Sequence, residues 1–128
     1  MPVSAYLSMP LTPVHWMGSS LVDLRACPER VQDAVGYALF LAQIGKQHPA
    51  TKWLRGDLHG LVEVVEDHDG STYRAVYTTK LAGLVYVLHV FQKKSTHGIA
   101  TPKRDLDLIK ARLRRAREHH AAHVDKET

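Results

Sequence analysis

Residues 72 to 94 read TYRAVYTTKLAGLVYVLHVFQKK, and the fold turns on how this stretch is read. TYRAVYTTK is β-branched and aromatic, LAG carries a turn signal, and LVYVLHVFQ is apolar at nearly every position. A strand apolar on both faces belongs inside a sheet that is covered on both sides. If the two strands form a hairpin about Ala82-Gly83, paired residue numbers sum to about 165 and Arg74 falls opposite Phe91, with His89 and Lys93 as diagonal neighbours on its face. A register one residue out sets Arg74 among Val90, Gln92 and Lys94 instead. Either way the arginine approaches the strand end where Lys93 and Lys94 stop the apolar run.

Working outward, LVEVVE at 61–66 is a further strand and DHDGS is the turn into the hairpin. Before it, KQHPATKWLRGDLHG at 46–60 reads as a polar loop carrying Lys46, Lys52 and Arg55, with Trp53 as its anchor. Pro28 opens a helix that runs to about Ile44 and stops at Gly45. Val31, Val35, Ala38, Leu39 and Ala42 form its apolar stripe. Tyr37, Phe40, Leu41 and Ile44 widen that surface, either for the core or for a partner. Ser19 and Ser20 offer an N-cap to a preceding helix over LVDLRA, with Asp23 in its first turn. Val14 to Met17 reads as a short strand. After the hairpin, Thr101 caps a helix with Pro102 in its first turn; Leu106, Ile109, Leu113 and Ala116 share one face, and basic residues decorate the rest.

The order predicts one α+β domain. Two N-terminal helices pack on a small antiparallel sheet, a three-stranded meander plus the short N-terminal strand, and a basic C-terminal helix follows. Residues 1–13 are expected to be an irregular arm, 14–118 the domain and 119–128 a frayed tail. The 128 residues suit a single domain, and the net charge of +4 with a pI near 9.3 favours anionic partners. Cys27 is the single cysteine, which excludes an internal disulfide and suits a reducing compartment. The proline-broken N-terminus does not read as a signal peptide, and no stretch is long and apolar enough for a membrane helix. A cytoplasmic location is expected.

Arg74, Lys93 and Lys94, with Lys52 and Arg55 from the preceding loop, are thus predicted to converge from separate segments. Each also has a plainer reading. Arg74 can pair with Glu63 or Glu66 on the neighbouring strand, and the lysines can guard a sheet end. Lys52 and Arg55 can be ordinary loop charges, the basic helix a solvated face, and His89 a packing residue. His119, His120 and His123, and the Asp67-His68-Asp69 group, lack metal-site spacing and read as incidental; no metal or cofactor is expected. Neither a phosphate loop nor a nucleophile elbow is present.

EDHDGSTYRAVYTTK, followed by VYVLHVFQKKSTHGIATPKRDLDLIKARL, resembles the phage Gp49-like, HigB-type branch of the RelE toxin superfamily. The similarity runs from about His15 to Arg117. The resemblance implies a type II toxin, an endoribonuclease that enters the ribosomal A site and cuts mRNA, and a helix-turn-helix antitoxin as partner. By position, Arg74 matches the arginine that relatives use at the scissile phosphate. Lys93 and Lys94 match the basic end of the last strand, and Lys52 and Arg55 the basic loop. Where relatives place a catalytic histidine or tyrosine near the C-terminus, this chain has a long basic helix, so His89, Tyr73 and His97 are the candidates for proton transfer. Tyr73, Gln92, Lys103 and Arg104 complete the expected RNA-binding set. Such chemistry needs no carboxylate pair, because the RNA's own 2′-hydroxyl attacks and cations stabilise charge on the phosphoryl oxygens. The rival expectation is a phage-derived module that binds RNA or protein without cutting; a third is a nuclease independent of ribosomes.

Overall fold

The computed structural model describes residues 11–79, 81, 83–93 and 101–127, of which 123–127 by backbone alone. Five strands, β1 Val14–Trp16, β2 Thr51–Trp53, β3 Leu61–His68, β4 Ser71–Thr78 and β5 Val85–Lys93, form one sheet in the order β1-β5-β4-β3-β2. Helices α1 Ser20–Arg25 and α2 Glu29–Gln43 cover one face, and α3 Lys103–Glu127 covers the other. The α+β class is as expected.

The hairpin register is also as expected, with Arg74 opposite Phe91 and Thr72 opposite Lys93. Two features of the sheet differ. β1 runs parallel to β5, so the sheet is mixed; a three-residue strand carries no periodicity from which to read direction. The polar loop at 46–60 contains the edge strand β2, paired antiparallel to β3, and a 3-10 turn at Gly56–Leu58. Its polar composition fits an edge that faces solvent. Trp53 lies 46% exposed on that edge. The turn between β3 and β4 tightens to Asp69-Gly70, both with positive φ (48° and 78°), as a two-residue hairpin of Asp-Gly type requires.

Leu24, Val31, Val35, Ala38 and Leu39 of the first two helices pack on Val62, Val64, Ala75, Tyr77, Val85, Val87 and Val90. Ile109, Leu113 and Ala116 of α3 pack on Leu61, Val76, Tyr86 and Leu88. β5 is therefore buried from both sides, which explains its continuous apolar run. Its alternation breaks once. Val76 pairs with His89 and Tyr77 with Val87, leaving Leu88 without a partner in the register. This bulge turns both Leu88 and His89 towards α3, while Val87 and Val90 face the other core.

The termini of the domain are tied more firmly than expected. In the arm, the Thr12 amide donates to the Gln43 carbonyl and the Val85 amide to the Pro13 carbonyl. α3 begins at Lys103, with Pro102 before it, and runs through the expected tail to Glu127. Pro28 is the N-cap of α2 rather than its first helical residue.

Candidate functional site

Two strands away from Lys52 lies Arg74, and Glu63 joins them across β2, β3 and β4. Arg74 Nη1 donates to Glu63 Oε1 at 2.8 Å, and Lys52 Nζ lies 3.5 Å from the same oxygen. Glu63 is 1% and Arg74 7% exposed. Of the two carboxylates considered, Glu63 shares the arginine's face, while Glu66 pairs with Tyr73 on the opposite one. The plainer reading of Arg74 as half of an ion pair is thus its geometry in this state. A buried pair of this kind is costly to desolvate and costlier to break. The pairing is incomplete, for Arg74 Nε is buried without a hydrogen-bond partner among the described residues.

Lys93 is also buried, opposite Thr72 and diagonal to Arg74 on the same face. The structure therefore gathers Arg74, Lys93 and Lys52 on one side of the sheet. Lys94 and His97 lie outside the described residues. Arg55 is exposed beside the 3-10 turn, and its side chain forms no ion pair among the described residues.

His89 stands on this face too, stacked on Phe91 with ring centroids 4.6 Å apart. Both of its nitrogens are engaged. Nε2 lies 2.7 Å from Asp105 Oδ1, and Nδ1 lies 3.4 Å from Arg112 Nη1. Since guanidinium can only donate, Nδ1 is the acceptor and Nε2–H donates to Asp105. Arg112 further donates to the Leu88 carbonyl at the bulge (2.9 Å) and to Ser19 Oγ (3.1 Å), whose hydroxyl donates to Asp23. Burial lowers the arginine's pKa from its ordinary value; Asp23 opposes that and Arg115 adds to it. Ser19 therefore serves Asp23 and Arg112 rather than capping α1 with its side chain.

Asp105 and Arg112 escaped the sequence reading. A signal existed: Arg112 lies between Ile109 and Ala116 at helical spacing, a cation on the apolar stripe of α3. Tyr73 and Gln92 belong elsewhere. They line, with Asp23, Cys27 and Phe91, a hollow of about 230 Å³ on the α1 side of the sheet, and Gln92 donates to Ser71 Oγ. The sheet separates them from the Arg74 face. Lys103 and Arg104 are exposed in the first turn of α3.

At the other end of β5 a second ring cluster forms. Tyr86 Oη lies 2.7 Å from His119 Nδ1, and His15 stacks on His119 with centroids 4.3 Å apart. His119 is thus a docked residue, not an incidental tail histidine. Burial, then His119, lowers the His15 pKa below its ordinary value. Among the described residues no group of three or more His, Cys, Asp or Glu is placed to hold a metal, and no helix is long and apolar enough to cross a membrane.

Residues 22–114 match the family model described as Phage derived protein Gp49-like. No curated protein sequence matches the chain. Among solved structures, a chain of the toxin–antitoxin complex RelBE2 from Mycobacterium tuberculosis is 24% identical, with a TM-score of 0.44, over 69% of this chain and 98% of its own.

Proposed function

The chain belongs to the phage-derived Gp49-like family, and from that membership and the cations sharing one sheet face we propose that it is the toxin of a toxin–antitoxin pair, cutting mRNA on the ribosome. The observation that carries the reading is Arg74, whose fork Glu63 holds at one edge while its buried Nε–H lacks an acceptor among the described residues, on the same face as Lys93. A buried donor without a partner calls for a reason, and a phosphate oxygen would satisfy it. In the reaction the 2′-hydroxyl gives its proton to water and its oxygen bonds to phosphorus, the bond to the 5′-oxygen breaks, that oxygen takes a proton from water, and a 2′,3′-cyclic phosphate and a 5′-hydroxyl remain. Arg74 and Lys93 stabilise the charge on the phosphoryl oxygens. His89 has no unengaged nitrogen, so its part is to brace Phe91 and β5. RNA reaches Arg74 only once the covering side chains part. The partner in this reading is a helix-turn-helix antitoxin; Tyr37 and Phe40, 54% and 40% exposed on α2, offer it an apolar surface. The setting is the bacterial cytoplasm.

Arg74→Lys tests the reading, because it keeps a charge beside Glu63 and removes the fork. Induced in a bacterial host, it is expected to cut mRNA roughly a hundredfold more slowly than wild type, as measured by primer extension. Equal cleavage and equal growth arrest would remove Arg74 from the site. The burial of Arg74 against Glu63 favours a second reading, an RNA-binding module that does not cut; intact mRNA despite tight ribosome binding selects it. Equal cleavage of purified RNA without ribosomes would select the free nuclease.

A further inference from the structure

The exposed side of α3 is not used by the face just described. Lys103, Lys110, Arg114 and Arg117 are all exposed. At about 100° per residue they fall within an arc of roughly 60°, and at 1.5 Å per residue they extend over about 21 Å of helix. Asp107 and Glu118 flank this row, and beyond them Arg104 and Arg115 restore positive charge. Within the row only Lys110 has an ion pair among the described residues, at 3.4 Å from Asp57 Oδ2. Both partners are well exposed, and such a pair contributes little. Hollows of about 160 and 210 Å³ run beside the row. Their walls include His59, Gly60, Leu61, Thr78 and Leu113 but no Phe, Tyr or Trp.

From this arrangement we propose that the Lys103–Lys110–Arg114–Arg117 row of α3 binds the phosphate backbone of duplex RNA. A straight row of cations matches the regularly spaced phosphates of a helical backbone. A single strand would need a succession of aromatic platforms for its bases, and these hollows offer one ring, His59. Asp57 is a local antagonist in this arrangement. It neutralises Lys110 and repels the incoming phosphate. The choice of RNA over DNA rests on the function proposed above; the choice of a duplex rests on the row itself.

Fluorescence anisotropy with a labelled RNA duplex of arbitrary sequence, in the absence of ribosomes, tests the proposal. Replacing three contacts in Lys110→Gln/Arg114→Gln/Arg117→Gln is expected to weaken binding on the order of a hundredfold at 0.1 M salt and to reduce the slope of log affinity against log salt by about 2.7. Asp57→Asn is expected to tighten binding several-fold and steepen that slope, which no loss of folding would imitate. Unchanged affinity in the triple variant overturns the proposal, as does unchanged or weaker binding in Asp57→Asn. Tighter binding of single-stranded RNA, or of the DNA duplex of equal sequence, overturns its ligand assignment. Absence of mRNA cleavage by wild type, with the duplex still bound through this row, would sink the nuclease reading and leave this one standing.

Discussion

Glu63 takes two cations while almost wholly removed from water, so truncating one of them leaves a charge with too few partners. Arg74→Ala is expected to destabilise the fold by about 3 kcal/mol, read as a lower urea midpoint at unchanged slope. Arg74→Lys should lose much less, since an ammonium still meets the carboxylate. The two variants together separate the stability of the ion pair from any part the guanidinium plays on RNA. A like argument applies to His89. Arg112→Gln removes the obligatory donor to Nδ1, and ¹⁵N chemical shifts of the ring are expected to lose the pure Nε2–H form. If they do not move, Asp105 alone fixes the tautomer.

Between residue and fold, the connection from β1 to α1 depends on one glycine. Gly18 has φ of +53°, and a Cβ there would meet Arg112 Nε and Nη2 at 2.7 Å. Gly18→Ala is therefore expected to cost about 2 kcal/mol, from a strained backbone and a displaced guanidinium. Gly83, with φ of +92° and nothing within 4 Å of such a Cβ, should cost nearer 1 kcal/mol when changed to Ala. Thermal melts of the two variants test the ranking; equal losses would show that Arg112 yields freely. At this scale the hairpin and α2 were legible because long elements repeat their apolar period. β2 and the direction of β1 were not, since three residues hold no period and pairing alone defines them.

Across the molecule, α3 is fastened at two points along β5, by His89–Asp105 near its middle and by the Tyr86–His119–His15 stack near its start. The second fastening depends on pH. The folded state lowers the His15 pKa below 6.5, so the unfolded chain takes the proton first as pH falls. Its stabilisation is complete above the unfolded value and is lost as pH drops from there through the lowered native value. Hydrogen exchange in the C-terminal half of α3 is expected to quicken as pH falls below about 6.5, after correction for intrinsic rates. His15→Phe keeps a ring in place and should flatten that dependence. An unchanged profile in the variant would assign the effect to another group.

What the sequence determined by itself is the α+β class, the span of α2 and the β4–β5 register that sets Arg74 opposite Phe91. These rest on local period and turn chemistry, which nearest neighbours along the chain suffice to express. Tertiary structure decided which carboxylate holds Arg74, and that the bulge at Leu88 aims His89 at Asp105. It also put Tyr73 and Gln92 on the far side of the sheet from Arg74. Those outcomes depend on which strands become neighbours and on what the covering helix buries, and no period within one segment contains that information.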